Sequence, residues 1–219
     1  MSAENERYTG AMIIEVAQPP MKRLTPAAQP QSFRLQERDF EIVRFVARNR
    51  FVSTRQIVRF VAGHPVLSQV GTSPRGIANR LRLMFDHDIL GRPEHQYYLL
   101  RAFHTVGNPD LVYALGREGA RLLAQKGERI NPALDWGKKN NDVVPFSLAH
   151  EIEVAQTMLD FELACRAATP KIDLIDQDRL FDLLPQETRE GPKPFSCKFT
   201  VHLSQLKNRA DGFYVFKVG

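Results

Sequence analysis

FVSTRQIVRFVAGHPVLSQVGTSPRGIANRLRLMF, residues Phe51 to Phe85, holds Arg55, Arg59, Arg75, Arg80 and Arg82 and neither Asp nor Glu. Two helix starts are written into it. Ser53 and Gln56 have the spacing of a capping box: the Ser hydroxyl takes an orphan N–H of the first turn and the Gln side chain reaches back. Ile57, Val58 and Val61 then make an inward face, and the helix stops at Gly63–His64–Pro65. Ser73 is a second N-cap, and Pro74 suits the first helical position, where its missing N–H costs nothing. On a wheel of about 100° per residue, Ile77, Ala78, Leu81, Met84 and Phe85 gather on one side of this helix. Arg75, Asn79 and Arg82 fall on the other, with Arg80 at the margin.

Upstream, Phe40, Ile42, Val43, Val46 and Ala47 predict a helix from about 37 to 49. Downstream, Ile89–Leu90, Gln96–Arg101 and "LVYAL" (111–115) read as short strands, and "GREGARLLAQKG" as a fourth helix ending at Gly127. Residues 1–32 are rich in Pro, Ala and Gln and read as a disordered arm. Its apolar piece "AMIIEVA" suits a patch resting on the body or a docking segment. Residues 128–145 are polar and broken by Pro132, Gly137 and Pro145, as an interdomain linker would be. In 146–219, "LAHEIEVAQTMLDFELACRA" predicts an amphipathic helix, "KIDLIDQ" a strand, "DRLFDLLP" a short helix or turn, and "PFSCKFTVHLSQ" and "ADGFYVFKVG" two more strands. The apolar alternation still running at Gly219 suggests that the natural protein continues.

The expected architecture is α+β: a winged helix-turn-helix domain over 33–127 and a small α/β module over 146–219. In a winged helix the third helix lies in the DNA major groove and the ribbon follows the backbone or minor groove. The charge pattern suits that use. Between Ile42 and Phe85 the eight charged residues are all Arg, whereas from Leu148 onward 9 cations face 11 anions. A groove-facing surface must lack acid because phosphates repel it. Arg75 and Arg82 would supply forked donors for base edges, and Asn79 a bidentate contact to adenine. Arg80 joins them from the margin, Arg55 would fix the register on a phosphate, and Arg101 is a wing candidate. The plainer readings are a solvated helix face or a protein-docking surface.

"LQERDFEIVRFVARNRFVSTRQIVRFV", "IANRLRLMFDHDILGRP" and "LVYALGREGARLLAQKG" resemble the replication-relaxation family of plasmid and mobile-element proteins. The shared features are the Arg38–Asp39 pair, the Phe51–Gln56 stretch, the Arg80–Arg92 stretch and the Tyr113–Gly119 turn. "LAHEIEVAQTMLDFELACR" and "ADGFYVF" extend the likeness, so that it spans about 33–219. Asp88 stands where that family often has Gly, Gly116 where Thr is usual and Ala210 where Pro is usual. The resemblance implies a bacterial DNA-binding protein acting in plasmid replication or in relaxation and mobilisation, as a non-catalytic accessory beside a relaxase or replication protein. A winged-helix transcription repressor is an alternative.

A nuclease is the alternative of another class. Asp211 on a strand and Glu151 on the preceding helix suggest a restriction-endonuclease-like core binding Mg²⁺. The position two before Lys217 is Val215 and not an acid, so that site is incomplete, and the second half is expected to dimerise, contact a partner or descend from a nuclease. There is no GxSxG, Walker loop, GxGxxG or HExxH. Tyr97–Tyr98 has only His95 beside it, too little for a metal-assisted tyrosine relaxase. The six histidines are scattered and Cys165 and Cys197 have no CxxC spacing, so no resident metal or cofactor is expected. Net charge is +5, pI about 9.4 and mean hydropathy −0.32. No apolar run nears the ~20 residues of a membrane span, and the acidic start is unlike a secretory signal; the expected location is the cytoplasm.

Overall fold

The structure, a computed structural model, describes residues 24–70, 73–96, 110–169, 172–175, 180, 182–190 and 215–218. Over these it has an α+β architecture. Helix α1 spans Glu37–Asn49, strand β1 Val52–Ser53 and helix α2 Thr54–Ala62. A 3-10 turn, Leu67–Val70, leads to α3, Pro74–Asp86. Strands β2 (Leu90–Gly91) and β3 (Val112–Leu115) follow, then α4 (Arg117–Gln125), α5 (Trp136–Asn141) and the long α6 (Pro145–Ala167). Beyond these come β4 (Ile172–Ile175), α7 (Gln186–Arg189) and β5 (Val215–Val218).

The caps written into the sequence form. Gln56 N–H donates to the Ser53 hydroxyl at 3.3 Å, and Gln56 Oε1 accepts Ser53 N–H at 2.7 Å. Ser73 accepts Gly76 N–H at 3.1 Å, with Pro74 at the start of α3. On α3 the inward side chains are Ile77, Leu81, Met84 and Phe85. On α1 the buried face is wider than the period suggests: Ile42, Val43, Phe45 and Val46 are buried, Phe40 and Ala47 only partly. Phe45 is inside because it stacks on Phe60 of α2, ring centroids 4.3 Å apart. Fully burying such a ring contributes roughly 2–3 kcal/mol, which outweighs the helical period.

The three-stranded sheet is antiparallel in the order β1–β3–β2, with Val52 opposite Tyr113 and Leu90 opposite Leu115. The middle strand is buried throughout. Beside Val112 a side chain continues the ladder: buried Gln96 donates to Val112 O at 3.1 Å and accepts Val112 N–H at 2.9 Å. Gln96 does this from a helical residue just after the turn at Glu94–His95, not from the strand its sequence suggested, and 97–101 of that expected strand lie outside the described residues. Between β2 and α3, Asp88 takes φ 55°. Its carbonyl closes so tightly on Gly116 that a Cβ there would stand 2.2 Å from it.

Residues 24–36 form a strap along α3, where composition suggested disorder as far as 32. Ala27 N–H donates to Asp86 Oδ1 at 3.0 Å, Gln31 O meets His87 Nε2 at 2.9 Å, and Phe33 sits against the His87 ring. Composition weighs only apolar burial; here backbone hydrogen bonds to two side chains at the end of α3 hold the segment. Residues 1–23, with "AMIIEVA" among them, lie outside the described residues.

Residues 128–145 include α5, whose buried Asn140 donates to Leu115 O at 2.9 Å, and Val143, which joins a small core with Phe51, Val112, Ala114 and Leu148. Helix α6 puts Ala155 and Leu159 into the same core as Phe45 and Phe60. Packing is thus continuous from α1 to α6. Gln56 Nε2 donates to Ile152 O at 2.8 Å, so one amide both caps α2 and pins it to α6. The strand pair β4–β5 is antiparallel, Ile172 opposite Val218. No helix among the described residues is long and apolar enough to cross a membrane.

Candidate nucleic-acid interface

Most arginines of the acid-free window meet carboxylates that lie outside it. Arg44 pairs with Glu41 and, at 2.6 Å, with Glu128. Arg48 lies 3.9 Å from Glu162, Arg50 2.8 Å from Glu151 and Arg59 2.7 Å from Asp160. The last three acids all belong to α6. The long helix thus presents an acidic edge to the basic surface of α1 and α2. Asp160 is held below the usual carboxylate range by its hydrogen bonds from Gln156 and Arg59.

Arg80, at the margin of the α3 face, turns inward. Its Nε donates to both Asp39 oxygens, at 3.0 and 3.1 Å, and its terminal nitrogen reaches the Arg34 carbonyl. The Arg80 side chain is 15% exposed and that of Asp39 0%. Asp39 also accepts Gln36 N–H at 2.8 Å, and Phe33 packs over the guanidinium at 4.8 Å. Arg80 therefore bolts α3 to α1 and the strap, and is not available as a groove contact.

Arg75, Asn79 and Arg82 share the outer face of α3, all exposed. Arg75 has no acid within ion-pair distance and Asn79 no side-chain hydrogen bond among the described residues. Arg82 keeps an outward guanidinium, its Nε 3.6 Å from Asp86 Oδ2 one turn on. Arg55, at the start of α2, is highly exposed, but Asp110 already accepts the Arg55 backbone N–H at 3.0 Å and lies 3.8 Å from its Nε. An acid thus occupies the helix start where a phosphate would bind, and only the guanidinium tip is left to reach one. Arg101 lies outside the described residues.

The sequence-derived metal candidates are Glu151 and Asp211. Glu151 is engaged by Arg50, and Asp211 lies outside the described residues. Among the described residues no group of three or more His, Cys, Asp or Glu could hold a metal ion. Sequence reasoning missed Asp39, Asp110, Asp160 and Glu162 as partners, since each is far along the chain from the Arg it meets. Glu41, three residues from Arg44, and Asp86, four residues from Arg82, each on one helix with its partner, had a local signal. Comparison of the chain with protein-family models, curated proteins and solved structures returns no match.

Proposed function

We propose that the chain is a duplex-DNA-binding protein of winged helix-turn-helix type, reading the major groove with α3. The observation that carries this reading is the sorting of the arginines: Arg44, Arg48, Arg50, Arg55 and Arg59 meet acids, three of them on α6, while Arg75, Asn79 and Arg82 stand together, outward, on a capped helix, with Asp86 of that same helix beside Arg82. The element order α1–β1–α2–α3–β2–β3 with sheet order β1–β3–β2 supports the winged-helix assignment. Arg offers two parallel donors to guanine or phosphate, and Asn can hold adenine bidentately. The resemblance to replication-relaxation proteins makes plasmid or mobile-element DNA the proposed target and a replication protein or relaxase the proposed partner, with a homodimer as a further assembly. A transcription repressor would use the same surface.

Two positions near one another depart from that family's pattern. Asp88 replaces a usual Gly, Gly116 replaces a usual Thr, and the Gly116 site has no room for a Cβ beside the Asp88 carbonyl. The nuclease alternative gains nothing from Glu151, whose carboxylate is paired. Binding of the full chain to mixed-sequence duplex, followed by fluorescence anisotropy against salt, tests the proposal. A slope of log K on log salt near −4 or steeper implies about four or more phosphate contacts. Absence of binding at low salt would assign the α3 face to a protein partner.

A further inference from the structure

We infer, on the reading of α3 as the groove helix, that Asp86 is a specificity-determining residue that aims Arg82 at a guanine. The two side chains differ sharply in exposure, 73% for Arg82 and 7% for Asp86. The carboxylate is fixed from behind: Oδ1 accepts Ala27 N–H from the strap at 3.0 Å, and Oδ2 faces Arg82 Nε at 3.6 Å. A guanidinium whose Nε edge faces a carboxylate keeps both terminal nitrogens free as a fork. In the major groove guanine alone presents two adjacent acceptors, O6 and N7, to such a fork.

Helix stability does not explain the acid. Asp86 is the last residue of α3, where a negative charge opposes the helix dipole. The pair runs Arg then Asp, the less favourable order for residues four apart. On a surface that meets phosphates, an acid also weakens attraction for every sequence alike. Orientation of Arg82 is a gain that offsets these costs, because a pre-aimed fork loses less side-chain freedom on binding. Arg75, on the same face without an acid partner, has no such aim and suits a phosphate or a less selective contact.

The test uses the full chain. Duplexes selected from a random pool are re-measured with each guanine replaced by 7-deazaguanine, which removes the N7 acceptor. One guanine is expected to lose roughly 5- to 100-fold in affinity on replacement, and Arg82→Ala should abolish that sensitivity. Asp86→Asn still accepts the Ala27 N–H but lacks the charge. It should lose most of the preference for that guanine while binding random duplex as tightly as the parent or more so. Arg82→Lys keeps the charge without the fork and should likewise lose the preference for that guanine. Full discrimination in Asp86→Asn and Arg82→Lys, or no guanine coupled to Arg82, would overturn the inference while leaving DNA binding intact. No binding to any duplex overturns the DNA reading itself.

Discussion

On α1 and α2 the guanidiniums of Arg48, Arg50 and Arg59 face carboxylates of α6; on α3 those of Arg75 and Arg82 face outward. Along the chain the two groups look alike, arginines strung through a stretch, Ile42 to Phe85, that holds no acid. The difference is made by a helix that begins about a hundred residues downstream of the first group. Glu151, Asp160 and Glu162 pair with arginines of α1 and α2, while Arg75 and Arg82 keep outward guanidiniums. On the proposed reading, a ligand drawn by charge meets α3 before the paired arginines of α2. Charge density along a sequence bounds where an interface can be, and the fold decides which part of it remains.

The largest test of this sorting concerns Arg80, the α3 arginine that belongs with the paired group. Asp39→Ala should destabilise the protein by about 3 kcal/mol in urea unfolding, because it strands a nearly buried guanidinium and frees the Gln36 N–H. A loss below about 1 kcal/mol would mean that Arg80 swings out to solvent, and the line between the two groups would blur. Next in size, Arg75→Ala and Arg82→Ala should each weaken specific duplex binding by roughly 1–3 kcal/mol if they read bases. Arg59→Ala, on the paired side, should change it by less than about 0.5 kcal/mol. Equal losses from all three in anisotropy titrations would erase the comparison.

A smaller effect of opposite sign is expected from α6. Glu151→Gln with Asp160→Asn leaves Arg50 and Arg59 without their acids. Stability should change by at most about 1 kcal/mol per pair, since both are exposed. Affinity for random duplex should rise and its salt slope steepen. An unchanged slope would show that α6 does not shape the field.

Most of the local structure was legible in the sequence and most of the pairing was not. The bounds of α1, both caps and the break at Gly63 follow from rules spanning four residues or fewer. Phe45 was missed as core because its partner, Phe60, lies on another helix. The strap was missed because it is held by backbone hydrogen bonds to Asp86 and His87, which leave no mark on composition. Arg75, Asn79 and Arg82 lie on the face where the helical period put them. Arg80 sat at the margin of that face, and Asp39, 41 residues away in sequence, draws it in.

His64 offers the finest probe of the paired side. Burial, and then the charge of Arg166, lower its pKa, against the raising pull of Glu41 and Glu162; Arg48 lowers it further. Its Nδ1 accepts the backbone N–H groups of Val66 and Leu67 at 3.3 and 3.2 Å, which requires that nitrogen to be unprotonated. Because the folded pKa is below the ordinary value of about 6.5, the unfolded chain binds its proton first as pH falls. The stability His64 contributes is therefore complete above about pH 6.5 and is lost as pH drops through the lowered value. Between about pH 7.5 and about pH 5.5, the parent should lose more stability in urea than His64→Gln does. Arg166→Met should move the His64 titration, followed by NMR, upward, and Glu162→Gln should move it downward. If neither shifts it, the charges around α1, α2 and α6 are screened from one another, and the ion pairs that set the two arginine groups apart are too weak to focus a field on α3.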